Sequence, residues 1–288
     1  MPPDINIWIL AGTGFAAGLL GAMLGVGGGF IIVPVLTMLG LPIQFAIGSS
    51  LISIVTNAAT STSVYIRNNM TNLKLGLLLS TTLIPGAAAG AFLASRLPAQ
   101  VLTVLFSLLL LFVAGYMFPR KQRRLTVEEL EAQKSVNEKS HASHAWLDGS
   151  YFDPAINEEV SYQVHRPVVG LVTSFFGGMV SSMFGVGGGI VNVPVMNRLM
   201  KVPIKATVAT SGFLLLTTTM TGSLIYIYNG FLAPYVAGPL CLSVFIGARL
   251  GSVIAHRVHT LTLVIIFAIF LVLMAILMAL KGLHVFGD

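Results

Sequence analysis

Apolar residues run along this chain in ten blocks separated by short turns. From the amino end they cover roughly 5–24, 30–41, 43–66, 73–95 and 98–118. After a polar interval they cover roughly 167–184, 190–200, 204–228, 231–255 and 259–281. No charged residue falls between Asp4 and Arg67, a run of 62 positions. A helix crossing the hydrocarbon core needs about 20 apolar residues, so that run alone is long enough to cross more than twice. The second block of each half is short. Its dozen or so residues, at about 1.5 Å rise each, give about 18 Å of helix against a core of about 30 Å. Each short block is therefore expected to pair with the block before it as a broken or re-entrant unit. The pattern predicts an all-α, polytopic transmembrane helical bundle of eight to ten helices.

The two sets of blocks carry one motif. Gly25-Val26-Gly27-Gly28-Gly29-Phe30-Ile31-Ile32-Val33-Pro34-Val35 matches Gly185–Val195 at eight of eleven positions, at an offset of 160. Thr13, Phe15 and Gly18 match Thr173, Phe175 and Gly178 at the same offset. Downstream the offset becomes 161, and Ser50, Tyr65, Asn68, Gly86, Gly90 and Arg96 fall on Ser211, Tyr226, Asn229, Gly247, Gly251 and Arg257. Agreement over about 85 residues with a single one-residue shift indicates duplication, as repeats of fixed period do. The chain divides into a first transmembrane repeat at 1–118, a hydrophilic loop at 119–166 and a second repeat at 167–288.

Charge separates the function classes. Charged residues make up 9 % of the chain and mean hydropathy is +0.88, whereas a soluble domain carries about 25 % charged residues. Fifteen of the 26 charged residues lie between Arg120 and Arg166. With the 119–166 loop in the cytoplasm, thirteen of the sixteen Lys and Arg fall on that side, as the positive-inside rule requires. The turn at Pro42 is then neutral while its counterpart at Pro203 is basic, and the 67–74 turn is basic while Asn229-Gly230 is neutral. The repeats are accordingly expected to be inverted relative to each other, a recurring plan of secondary transporters. The net charge of +6 flanks apolar spans and forms no stripe for nucleic acid. A single cysteine, Cys241, excludes a disulfide framework. The first 24 residues lack a basic segment, so a cleaved signal peptide is not expected. Within the loop, Arg120 to Lys139 has the mixture of a short surface helix and the rest reads as a solvated linker. His141 and His144 have no acidic or cysteine partner at metal-ligand spacing.

The glycine clusters are the main candidate chemistry. They fit neither a dinucleotide fingerprint nor a phosphate-binding loop, since Phe30 or Ile190 stands where the next glycine belongs. Gly86/Gly90 and Gly247/Gly251 suit close helix packing. Three consecutive glycines fit that role poorly, at about 1 kcal/mol each in a helix interior. Pro34 and Pro194 follow, and proline suits the first turn of a new helix. Each cluster therefore reads as a helix break, tolerated in a membrane only where it is buried in protein or lines a cavity. The restarted helix presents free N–H groups and the positive end of its dipole, an anion cradle. Two such ends are expected to face one cavity near mid-bilayer. Ser49, Ser50, Ser53, Thr56, Asn57 and Thr60 form a polar helical face, with Thr210, Ser211, Thr217, Thr218 and Thr221 in the other half. Hydroxyls in lipid also bond back to their own helix. Arg249 lies inside a span, where arginine is a functional candidate by default, with snorkelling as the alternative. No Asp or Glu occurs in any apolar block, which disfavours metal-cation transport and carboxylate proton relays. His256 and His259 stand at a span boundary, where pH sensing is conceivable.

Two Gly-x-Gly-Gly-Gly clusters followed by Val-Pro, with Ser50 and Ser211 some 16–17 residues after each proline, resemble the TauE/SafE family of sulfite exporters, the toluene-sulfonate uptake permease group. The resemblance covers both repeats. It implies an inner-membrane protein of about eight helices that transports sulfur-containing anions such as sulfite or organosulfonates. The combined expectation is a secondary transporter working by alternating access. Gly27, Gly28, Gly29, Ser49, Ser50, Asn57, Gly187, Gly188, Gly189, Thr210, Ser211 and Arg249 would bind the anion, with no catalytic residue, metal or cofactor. Sodium or a proton is the candidate coupling ion, and homo-oligomerisation stays open. The alternative is a membrane-embedded scaffold without a transported substrate. An intramembrane enzyme would need a deep nucleophile and base, and no histidine or carboxylate lies deep enough.

Overall fold

A computed structural model describes residues 6–117, 146–153, 158–254 and 260–284. His141, His144, Arg257, His256 and His259 lie outside the described residues. The first repeat contains α1 (Ile7–Leu24), α2 (Gly29–Met38), α3 (Ile43–Arg67), α4 (Leu73–Arg96) and α5 (Ala99–Met117). A small hairpin follows, β1 (Gly149–Asp153) with β2 (Glu158–Tyr162). The second repeat contains α6 (Pro167–Phe184), α7 (Gly189–Pro194) continuing into a π turn (Val195–Leu199), α8 (Ile204–Tyr228), α9 (Pro234–Ile254) and α10 (Thr260–His284). Six of these helices, α1, α3, α4, α6, α8 and α9, are long and apolar enough to cross a bilayer. The protein is an all-α, multi-pass membrane bundle.

Both glycine clusters interrupt their helices. α1 ends at Gly25 with φ 67°, its N–H bonded to the Gly21 carbonyl, the left-handed ending that glycine adopts without strain. Gly27 and Gly28, at φ 90° and 87°, then turn the chain back. α2 returns along α1, since a Cβ on Gly28 would strike the Ala17 carbonyl. In the second repeat Gly185 and Gly187 have φ 64° and 83°. There α7 returns along α6, with Ser174 Oγ donating to Asn192 Oδ1 at 3.4 Å. Each short block is thus the second limb of a re-entrant hairpin. The prolines do not open these helices, as their sequence position suggested. Pro34 lies inside α2, and Pro194 ends α7, after which Met200 N–H bonds back five residues to Val195 O at 3.0 Å.

Packing follows from bare backbone. Gly86 and Gly90 of α4 abut the Phe175 and Met179 carbonyls of α6, while Gly247 and Gly251 of α9 abut the Phe15 and Leu19 carbonyls of α1. Small residues let helices approach closely where lipid supplies no hydrophobic drive for association. The pairings α1–α9, α4–α6, α3–α8, α4–α8, α3–α9 and α5–α10 map onto themselves when each helix is exchanged for its counterpart in the other repeat.

The two ends of the bundle differ in charge. At one end the α3–α4 turn, the hairpin and the α7–α8 turn converge. There Asn72 Nδ2 donates to Leu147 O at 2.8 Å and His165 N–H to Met200 O at 3.1 Å. Arg67, Lys74, Arg166, Arg198, Lys201 and Lys205 flank these turns. At the other end lie the α2–α3 and α4–α5 turns and the end of α10, with Arg96 over the Phe92 ring and Lys281 Nζ bonded to Thr37 O. The described part of the 119–166 loop is more than a solvated linker. Leu147, Tyr151 and Val164 are buried against Leu75, Leu79, Met196 and Met200. Tyr162 also lies outside the spans; burial first, and the Asp148 charge after it, push its phenol above its ordinary value, with the Asn72 hydrogen bond opposing.

Candidate functional site

The two helix breaks meet. Gly29 has no room for a Cβ because the Gly185 carbonyl occupies that space, and Gly189 is closed in the same way by the Gly25 carbonyl. Val26 O lies 2.8 Å from where a Cβ on Gly187 would stand. The breaks therefore touch through backbone and do not face each other across an open cavity, because the missing side chains let carbonyls into the gap.

Long helices from opposite repeats secure this contact. Ser50 Oγ, on α3, donates to Gly185 O at 2.9 Å, and Ser211 Oγ, on α8, shares its hydrogen between Gly25 O at 3.2 Å and Val208 O of its own helix at 2.8 Å. Both carbonyls belong to left-handed residues just past a helix end, where no intrahelical partner exists. Each serine thus closes the break of the other repeat. Tyr65 Oη reaches Ala22 O at 3.2 Å and Tyr226 Oη reaches Met183 O at 3.3 Å, each within its own repeat. The hydroxyl protons of Ser50 and Ser211 are committed to backbone, so in this arrangement neither serine has a hydrogen to offer an anion.

A comparison with known proteins places this architecture. The profile of the family described as "Sulfite exporter TauE/SafE" matches residues 10–278. The chain belongs to the TauE/SafE sulfite exporter family. A probable membrane transporter protein of Bacillus subtilis (strain 168), YunE, is 29 % identical over 283 residues, 95 % of this chain and 97 % of that protein. A probable membrane transporter protein of Methanocaldococcus jannaschii is 26 % identical over 262 residues, 85 % of each chain. No solved structure matches the chain. Family membership makes this a membrane transporter and not an enzyme.

In this TauE/SafE protein the remaining candidates divide into groups. Asn57 spends both amide hydrogens on the first hairpin, on Gly18 O inside α1 at 3.3 Å and on Gly27 O of the break at 3.1 Å. Thr210 Oγ1 accepts the Asn72 N–H at 3.0 Å and so ties α8 to the start of α4. Ser53, Thr60, Thr218 and Thr221 bond carbonyls one turn back on their own helices. Most of the hydroxyl row is therefore self-satisfied and does not form a lining. Ser49 Oγ is buried with no partner. Arg249 is not brought to the breaks. It lies exposed on α9, away from the Gly247/Gly251 face that packs on α1. A cavity of about 190 Å³ lies elsewhere, between Thr37, Ile43, Gln100, Thr103, Lys281 and neighbours at the less basic end.

Sequence reasoning missed Asn192, Ser181 and Ser174, all buried beside the second break. The signal was present in the repeat. Asn192 is the one mismatch within the eleven-residue motif that sets a polar side chain against an apolar one, Ile32, and Ser181 and Ser174 stand where the first repeat has Gly21 and Gly14.

Proposed function

We propose that the protein carries a small sulfur-containing oxyanion, sulfite or an organosulfonate, across the cytoplasmic (inner) membrane by alternating access, binding it at the paired breaks. The observation that carries this reading is the crossed closure, in which each repeat's serine holds the other repeat's re-entrant hairpin. A contact made from two interchangeable elements can release on one side or the other, which a carrier requires. Gly27–Gly29 and Gly187–Gly189, with Ser49, Ser50, Thr210 and Ser211, would surround the anion once the breaks part. Bare glycine amides then become donors without a fixed charge, which suits release as well as binding.

Inverted repeats fit the same plan. α1 and α2 enter and leave from one side, and α3, α4 and α5 then cross. An odd number of crossings delivers the second repeat to the opposite side, upside down relative to the first. The basic end, with the 119–166 loop, is the cytoplasmic end by the positive-inside rule. The decisive measurement is uptake of labelled sulfite, sulfate and methanesulfonate into proteoliposomes, with and without a sodium or proton gradient. Saturable flux of a sulfur oxyanion supports the carrier. Its absence under every gradient would favour the scaffold reading, which the direct backbone contact between the breaks also suits.

A further inference from the structure

The second break contains polar atoms that its own fold does not use. Asn192 and Ser181 are each 1 % exposed, and Asn192 Nδ2 and Ser181 Oγ are buried with no hydrogen-bond partner. They lie together at Gly188, where a Cβ would stand 3.2 Å from Asn192 Nδ2 and 3.8 Å from the Ser181 Cβ. The other face of the amide is fixed, since Asn192 Oδ1 accepts from Ser174 Oγ at 3.4 Å. Leaving such donors unpaired in a low-dielectric interior is unfavourable, and each one in a native fold calls for an explanation.

Gly188 is the second anomaly. Its φ is −70°, a value any residue adopts. The atoms nearest its missing Cβ are side-chain or distant ones, the closest backbone atom being Gly177 O at 3.8 Å. Gly28, its counterpart, has φ 87° and a backbone carbonyl in that space. Backbone geometry therefore demands glycine at 28 and does not demand it at 188. With no torsional demand and no backbone in the way, glycine at 188 only spares the Asn192 amide nitrogen a methyl 3.2 Å away.

We infer that Asn192 Nδ2 and Ser181 Oγ, beside Gly188, are side-chain donors that hold the transported oxyanion, added by the second repeat to the glycine amides of both breaks. This rests on the carrier reading above and adds residues and a side to it. The ligand class is a compact oxyanion with at least two acceptor oxygens on one face, as in sulfite or a sulfonate head group. Neutral amide and hydroxyl donors match it, and no cation is needed at depth.

The test uses the full chain in nanodiscs, with binding of sulfite (kept anaerobic) and methanesulfonate measured by titration calorimetry and flux measured in proteoliposomes. Asn192→Leu, Ser181→Ala and Gly188→Ala should each weaken binding roughly 10- to 100-fold, the effect of losing a hydrogen bond to a charged group. The anion-free unfolding temperatures of Ser181→Ala and Gly188→Ala should stay near wild type. If Asn192→Leu does not fold, Gly188→Ala decides, since its backbone tolerates alanine. Wild-type affinity in Gly188→Ala and Ser181→Ala, with wild-type flux intact, overturns the inference and leaves the carrier reading standing. Absence of anion binding and flux in the wild type overturns both, and assigns the pair to a buried water.

Discussion

The two glycine breaks descend from one motif, yet they are finished differently. In the first, Asn57 reaches in from the long helix α3 and saturates two carbonyls. It has room because Gly21 carries no side chain, a Cβ there falling 2.6 Å from Asn57 Nδ2. In the second, Ser181 fills that position and Thr218 replaces the asparagine, bonding its own helix at Leu214 O. The amide instead comes from Asn192 on the returning limb, and its nitrogen stays unpaired. The first limb runs on through Pro34 as α-helix, while the second passes into a π turn after Pro194. The two breaks share a motif, and a few differing side chains leave the amide of the first spent and that of the second with a donor to spare.

That contrast is open to direct attack by mutation. The largest effect is expected at glycines demanded by backbone. Gly29→Ala and Gly189→Ala should each destabilise by about 3 kcal/mol, because the intruding methyl meets a carbonyl of the opposite repeat. Thermal unfolding in detergent should show both with sharply lowered midpoints. Gly28→Ala should cost at least as much, since a left-handed φ adds about 1–2 kcal/mol to its clash with the Ala17 carbonyl. Gly188→Ala should leave the midpoint nearly unmoved, and an equal loss at 28 and 188 would erase the distinction.

The asparagines come next. Asn57→Leu abandons the buried Gly27 carbonyl and a second bond to Gly18 O of α1, and should lower stability by about 2–3 kcal/mol. Asn192→Leu removes an idle donor but also the oxygen that accepts from buried Ser174 Oγ, and should cost less, about 1 kcal/mol. Denaturation followed by tryptophan fluorescence or a thiol probe at Cys241 can rank them. Ser50→Ala and Ser211→Ala should each lower stability by about 1 kcal/mol. If the halves are equivalent in their closure the two losses match; a disparity would carry the asymmetry from the side-chain donors into the latches. The smallest effect belongs to Arg249→Ala. Exposed on the outer face of α9, within reach of the basic end by snorkelling, it should change stability by about 0.5 kcal/mol or less. Anion flux in that variant should resemble wild type.

The sequence carried the architecture further than the site. Block lengths and the glycine motif were enough to bound the count at eight to ten helices and to place two re-entrant limbs, because helix length and left-handed turns are set locally. Gly86/Gly90 and Gly247/Gly251 were legible as close contacts for the same reason. The hairpin at 149–162 was not, since its stability comes from Tyr151 and Leu147 docking on residues far along the chain. The fate of the serines was equally hidden. Ser50 and Ser211 looked like ligands for an anion, and only tertiary structure tells that a carbonyl from the other repeat takes their protons. Arg249 was judged by depth alone, whereas the direction it points depends on which face of α9 packs against α1.

One arrangement reaches back before the two halves were joined. Since Ser50 answers to Gly185 and Ser211 to Gly25, a polypeptide comprising just one half would lack the outside partner of its serine and of its exposed peptide oxygen. Two separate copies meeting head to tail would satisfy both at a stroke. The exchange of bonds seen within the present single chain is one that two identical half-length chains could also make.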